Sequence, residues 1–85
     1  TAGMELDEIR NLMLAHPAVR QVHDLHAWAL GSQQPMLTAH VVVSEDADLE
    51  QVRLALAAAL EERFNVHDAT LQVERNACEV RNGHA

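Results

Sequence analysis

From Glu5 to Ala15 the apolar residues Leu6, Ile9, Leu12 and Met13 recur at intervals that place them on one face of a helix. Glu5, Asp7 and Glu8 crowd its start, where acidic groups complement the positive end of the helix dipole. Pro17 stops it, because the proline ring disfavours a helical residue before it. A strand is predicted from about Val19 to Leu30, and "GSQQP" (31–35) reads as the turn of a hairpin. In the following strand, "MLTAHVVVS", Leu37, Ala39, Val41 and Val43 alternate with Met36, Thr38, His40 and Val42. After the polar "EDAD", Asp48 is placed to cap a second helix, with Gln51 three residues on at capping-box spacing. That helix, Leu49 to about Phe64, carries the stripe Leu49, Val52, Leu56, Leu60 and Phe64, filled out by alanines, and Asn65 terminates it. A last strand runs from about Ala69 to Glu74, and residues 75–85 are polar.

The order is α-β-β-α-β, which predicts an α+β fold: a two-layer sandwich with a three-stranded sheet and both helices on one face. The 85 residues make one domain, folded over about 5–76 with a C-terminal tail at 77–85. The second face of the sheet is left bare, and a bare face on a small domain calls for a partner. By the two-residue period of a strand, the apolar set Leu37 to Val43 faces the helices, which sends His40 to the bare face. In the last strand Leu71 and Val73 face in and Glu74 faces out. The first strand stays open. Val22, Trp28 and Leu30 put even positions in the core; Leu25, Ala27 and Ala29 put odd ones there. Only the even solution brings His23 to the bare face.

Charge narrows the chemistry. Thirteen acidic against six basic residues give a net charge of −7, a field that repels phosphate backbones and excludes nucleic acid as a partner class. The same field attracts cations, and six histidines point the same way. One cysteine, Cys78, excludes an internal disulfide and fits a reducing compartment. No stretch approaches the roughly 20 apolar residues that span a bilayer, so the chain as given is expected to be soluble, whether or not it belongs to a larger membrane protein. His67 stands just before the last strand and Cys78 just after it. Together, His23, His40, His67 and Glu74 supply three imidazoles and a carboxylate, a set that suits zinc or a neighbouring first-row metal. A single histidine is more often a surface or core residue than a ligand, and this set has no short spacing signature.

Three segments then carry a resemblance: "AVRQVHDLHAWAL", "LTAHVVV" and "LAAALEERFNVHDATLQVE", followed by a trailing cysteine. Together they resemble the cytosolic C-terminal domain of cation diffusion facilitator transporters, of the zinc, cobalt and cadmium resistance type, over about residues 5–78. The resemblance implies a metallochaperone-like fold and a homodimer beneath the membrane domain of the same chain, on the cytoplasmic side of the inner (plasma) membrane. It also implies cation/proton antiport by the full protein, with this domain binding a divalent metal ion (zinc, cadmium or cobalt) near the dimer interface. By position, His23, His40, His67 and Glu74 match the family's ligands, and Cys78 falls where some members place a ligating cysteine.

The chain also departs from that pattern. Some members carry a histidine early in the second helix, where this chain has Gln51 and Arg53, and some have one where this chain has Gln72. Both departures favour a single or shared site over a two-metal cluster. His26 and Trp28 belong to the motif as structural or interface residues; Asp24 and Asp68 stand next to ligand candidates with their roles open; His16 and His84 read as incidental. A stand-alone metallochaperone would need a C-x-x-C pair, and a small-molecule regulatory domain a glycine loop after the first strand. Neither is present. No nucleophile has a positioned base and no phosphate loop exists, so an enzyme is not expected.

Overall fold

A computed structural model describes residues 2–30 and 34–75, with side chains from Glu5 onward. Its elements are α1 (Ala2–Leu14), β1 (Val19–Trp28), β2 (Met36–Val43), α2 (Leu49–Phe64) and β3 (Asp68–Glu74). The predicted order holds. The first helix begins three residues earlier than its apolar period announced, and β1 ends two residues short of Leu30.

The helices are held by local chemistry at their ends. In α1, Ile9 and Met13 are fully buried. Beyond its end, Nδ1 of His16 accepts the N–H of Ala18 at 3.0 Å, and the His16 carbonyl accepts the N–H of Val19 at 3.0 Å. His16 therefore closes the turn around Pro17 instead of being incidental. At α2 the Asp48 carboxylate accepts the N–H groups of Glu50 and Gln51 at 3.0 and 3.1 Å, satisfying two of the donors a helix start leaves free. Asn65 ends α2 in the left-handed conformation, at φ 59°, with its N–H on the Glu61 carbonyl. Val52, Leu56 and Leu60 of the predicted stripe are buried, with Leu49 and Phe64 packed against them.

The sheet order is β1-β2-β3, with β1 and β2 antiparallel and β3 parallel to β2 across the α2 connection. The central strand follows its sequence pattern: Leu37, Ala39, Val41 and Val43 all face the helices and are buried. Val42, on the other face, is buried too but lies outside the core cluster. No helix among the described residues is long and apolar enough to cross a membrane.

Strand β1 answers the question its sequence leaves open. Pairing steps from His23↔His40 to His26↔Thr38, so Asp24 and Leu25 of β1 oppose Ala39 alone of β2, and a similar shift lies between Val19 and Gln21. Each is a β-bulge, where one extra residue reverses the alternation beyond it. Val19, Val22 and Leu25, three apart, are consequently all buried. Before the second bulge the even position faces the core, and after it the odd positions do. Val22 of the even set and Leu25 and Ala27 of the odd set face the core, each in its own half of the strand, whereas Trp28, placed inside by the even reading, does not. His23 and His26 thus share the bare face, and Trp28, 52% exposed, stands there opposite Met36, 45% exposed. Arg10 of α1 donates to the Val22 carbonyl at 2.8 Å, tying the helix to β1 immediately before His23.

The caps give a direct stability test. Asp48→Ala should lower the unfolding free energy by about 1 kcal/mol, the usual worth of an N-cap, read from the urea midpoint. Asn65→Gly should be neutral or mildly stabilising, since glycine takes positive φ freely, whereas Asn65→Val should cost about 1–2 kcal/mol.

Candidate metal centre

The bare face brings histidines together through strand pairing. His23 and His40 are direct partners across the antiparallel ladder, their rings edge to face with centroids 5.4 Å apart. On the other side of β2, parallel β3 sets Gln72 beside His40 and Glu74 beside Val42. The Glu74 carboxylate closes the group: one ligand atom each from His23, His40 and Glu74 lies within 4.8 Å of the others, all three residues half-buried. Among the described residues this is the one cluster of three or more histidine, cysteine or acidic side chains so arranged.

Asp24 sits inside the second bulge, at φ 54°. A carboxylate oxygen of Asp24 lies 3.4 Å from Nδ1 of His23 and 4.0 Å from Nδ1 of His40. The opposite nitrogen of His23, Nε2, is buried and has no hydrogen-bond partner among the described residues. A buried, unpartnered nitrogen costs free energy in the folded state, about 1–3 kcal/mol where desolvation is complete. Beside the pair runs a shallow groove lined by Asp24, His26, Thr38, His40, Thr70 and Gln72.

These groups fit a divalent metal. Zinc binds histidine nitrogen and carboxylate oxygen at about 2.0–2.2 Å, which places tetrahedral ligands about 3.4 Å apart. The three atoms need to close by only about 1.4 Å from the 4.8 Å limit, within reach of side-chain rotation on a fixed sheet. Two imidazoles and a carboxylate also suit cobalt, and three protein ligands leave a fourth position for water or another group.

The remaining residues of the predicted set do not join this cluster within the chain. Nδ1 of His67 lies 2.9 Å from the Glu61 carboxylate and its Nε2 lies 2.9 Å from the Asn65 side-chain oxygen, so its ring is held at the end of α2. Of the expected set, His23, His40 and Glu74 stand together, while the exposed His67 pairs with Glu61 and Asn65 at the end of α2. Cys78 lies outside the described residues. His26 stacks on Trp28, centroids 6.4 Å apart and planes 25° apart, which matches a structural part. Asp68 is exposed and lines a separate surface hollow with His67, Pro35 and Met36. Early in α2, Arg53 is bound to the Glu50 carboxylate, which that hydrogen bond holds below the usual range, and no histidine replaces it there. The one device that strand period could not reveal is the bulge. Its only trace in the sequence is the conflict between two apolar sets around Asp24.

Comparison with known proteins gives the family and the fold. Residues 2–76 match the family model described as cation efflux protein, cytoplasmic domain. The chain is 32% identical over 83 residues to the proton-coupled zinc antiporter SLC30A2 of Mus musculus, covering 98% of this chain and 22% of that protein. It is 38% identical over 77 residues to the metal cation efflux system protein CzcD of Cupriavidus metallidurans, covering 89% of this chain and 24% of that protein. The chain thus spans less than a quarter of the length of these curated relatives. Among solved structures, the metal-bound C-terminal domain of the CzcD transporter superposes with a TM-score of 0.73 at 38% identity, covering 82% of this chain and 97% of that one. A MamM-CTD structure at 19% identity and TM-score 0.74, covering 89% of this chain and all of that one, shares the fold. With its α-β-β-α-β metallochaperone-like sandwich and a match over nearly its whole length, the chain belongs to the cytoplasmic-domain family of cation efflux proteins, the cation diffusion facilitators.

Proposed function

We propose that this chain is the metal-binding, dimerising regulatory domain of a divalent-cation efflux transporter, with His23, His40 and Glu74 as its metal ligands. The observation that carries the reading is the convergence of those three side chains on the bare sheet face. Family membership supports the setting of this reading: a domain that follows the membrane part of a longer protein, at the cytoplasmic side of the inner membrane, while the full protein exchanges zinc, cobalt or cadmium for protons. The metal-bound state of the CzcD domain supports metal binding here. Zinc is the first candidate, by ligand type and by the antiporter relative.

A second copy of the chain is the partner. The Trp28–Met36 pair leaves apolar surface on the bare face, and burying it contributes about 25 cal/mol per Å² to association. Two copies at −7 each repel one another, most strongly at low ionic strength. A divalent ion beside the interface offsets that repulsion. The core of helices and sheet excludes all three ligands, so metal should act as a clamp between protomers and not as a requirement for folding.

Two measurements test this. In metal titrations against a competing chelator, His23→Ala, His40→Ala and Glu74→Ala should each weaken zinc by more than about 100-fold, beyond what loss of a merely supporting group costs. His67→Ala should weaken it less. Metal-free His23→Ala should be as stable as the parent to within about 1 kcal/mol, since it removes an unsatisfied nitrogen. It should lose the roughly 2.7 kcal/mol of stabilisation that metal at 100 times its dissociation constant gives the parent. Equal weakening by His67→Ala would make His67 a further ligand, and equal weakening by His84→Ala would show that the histidines bind nonspecifically.

The second test places spin probes on the two protomers and compares distance distributions with and without zinc. The metal-free chain should give a folded circular dichroism spectrum, and zinc should shift the distances towards a tighter dimer. Unchanged distances, or an unfolded metal-free chain, would overturn the clamp.

A further inference from the structure

We infer that Asp24 is a positioning residue of the metal centre, and that the bulge in β1 sets its carboxylate beside the His23 imidazole, with His40 at ion-pair distance. The inference rests on the proposed ligand set and adds to it the group that orients His23. Three observations meet at this residue. Asp24 takes a positive φ of 54°, a conformation uncommon outside glycine, and such local strain tends to accompany function. It is the residue around which the pairing slips, so the extra residue of β1 is spent here. Its carboxylate oxygen faces Nδ1 of His23 at 3.4 Å and Nδ1 of His40 at 4.0 Å.

The chemistry follows from the charge. An ionised carboxylate only accepts, so a neutral imidazole facing it does best with its hydrogen on Nδ1. That leaves the lone pair on Nε2. In His23 this is the buried nitrogen without a partner. A lone pair at that atom is what a metal takes up, and a ligating histidine commonly presents its other ring nitrogen to a carboxylate that fixes tautomer and ring orientation. A regular strand would point residue 24 away from the face that carries His23. The bulge removes that alternation, and one carboxylate oxygen comes to 3.4 Å from Nδ1 of His23 while lying 4.0 Å from that of His40 on the neighbouring strand.

The test uses two substitutions that suit the backbone. Glycine relieves the positive φ, and asparagine tolerates it while removing the charge. Metal-free protein at pH 8 is examined by long-range proton–nitrogen NMR of the imidazoles. His23 should carry its hydrogen on Nδ1 in the parent and shift towards Nε2 in Asp24→Gly, with Asp24→Asn between, because the amide oxygen still accepts. Zinc affinity, measured by chelator competition, should fall by roughly 10–100-fold in Asp24→Gly and less in Asp24→Asn. Asp24→Gly should melt no lower than the parent, which separates loss of positioning from loss of structure. If Asp24→Gly does not fold, Asp24→Asn carries both readouts. Unchanged tautomers, or unchanged affinity in both variants, would overturn the inference. A loss as large as that of His40→Ala would overturn it too, by making Asp24 a direct ligand. If the parent binds neither zinc, cobalt nor cadmium, the metal reading fails by itself, and the tautomer of His23 still decides whether Asp24 positions it.

Discussion

One strand of this domain has to satisfy two demands that a regular strand cannot meet together. β1 must bury Val19, Val22 and Leu25 against the helices, and it must present His23 and His26 on the opposite face. Strict alternation would expose either Val22 or Leu25, because they differ in parity. Exposing one such side chain forfeits about 1.5–3 kcal/mol of burial, a large share of the stability of a domain this small. The bulge at Asp24 removes the conflict at the cost of a positive φ in a non-glycine residue. Register, core and site then agree: the same inserted residue lets Leu25 turn inward and leaves the paired rings of His23 and His40 outside.

Where each element obeys one period, the sequence is enough to place it. The alternation of β2 predicted its buried and exposed residues without error from Leu37 to Val41, and Asp48 and Asn65 mark the ends of α2 by chemistry that side chain and backbone dictate locally. Val42 departs from the alternation: it is buried on the bare face, an environment set by tertiary neighbours and not by strand period. β1 resisted a single answer for a physical reason. A bulge carries no composition of its own, and its effect on the sequence is to splice two incompatible alternations. The conflict between Val22 and Leu25 was itself the signal, and it could be interpreted only once the pairing with β2 was visible.

The site divides in the same way. His40 and Glu74 were placed on the bare face by the clean alternation of their strands, and His23 by the resemblance, since its own strand left both faces open. The local surroundings of His67 could not be read from strand period. It precedes β3 by one residue, but its ring is captured by Glu61 and Asn65, and helix termination decides where it points. Proximity along the chain brought it near the sheet; the αL turn at Asn65 gave it a local partner first.

Positions on the two faces of β1 also explain how metal could be felt beyond the site. Arg10 donates to the carbonyl of Val22, the residue before His23, so α1 grips β1 immediately behind a proposed ligand. The ligand atoms must draw together to bind an ion, and His23, His40 and Glu74 come from three different strands. The core beneath them is closely packed, with Leu37, Val41 and Val43 almost fully buried, and such interiors resist compression. Closure is therefore taken up by side chains on the bare face and by whatever rests against that face. A shift of β1 would reach α1 both through the Arg10 hydrogen bond and through the shared core of Ile9, Met13, Val19, Val22 and Leu25. The strand that carries His23 is thus held by β2 along its edge and by α1 against its core face.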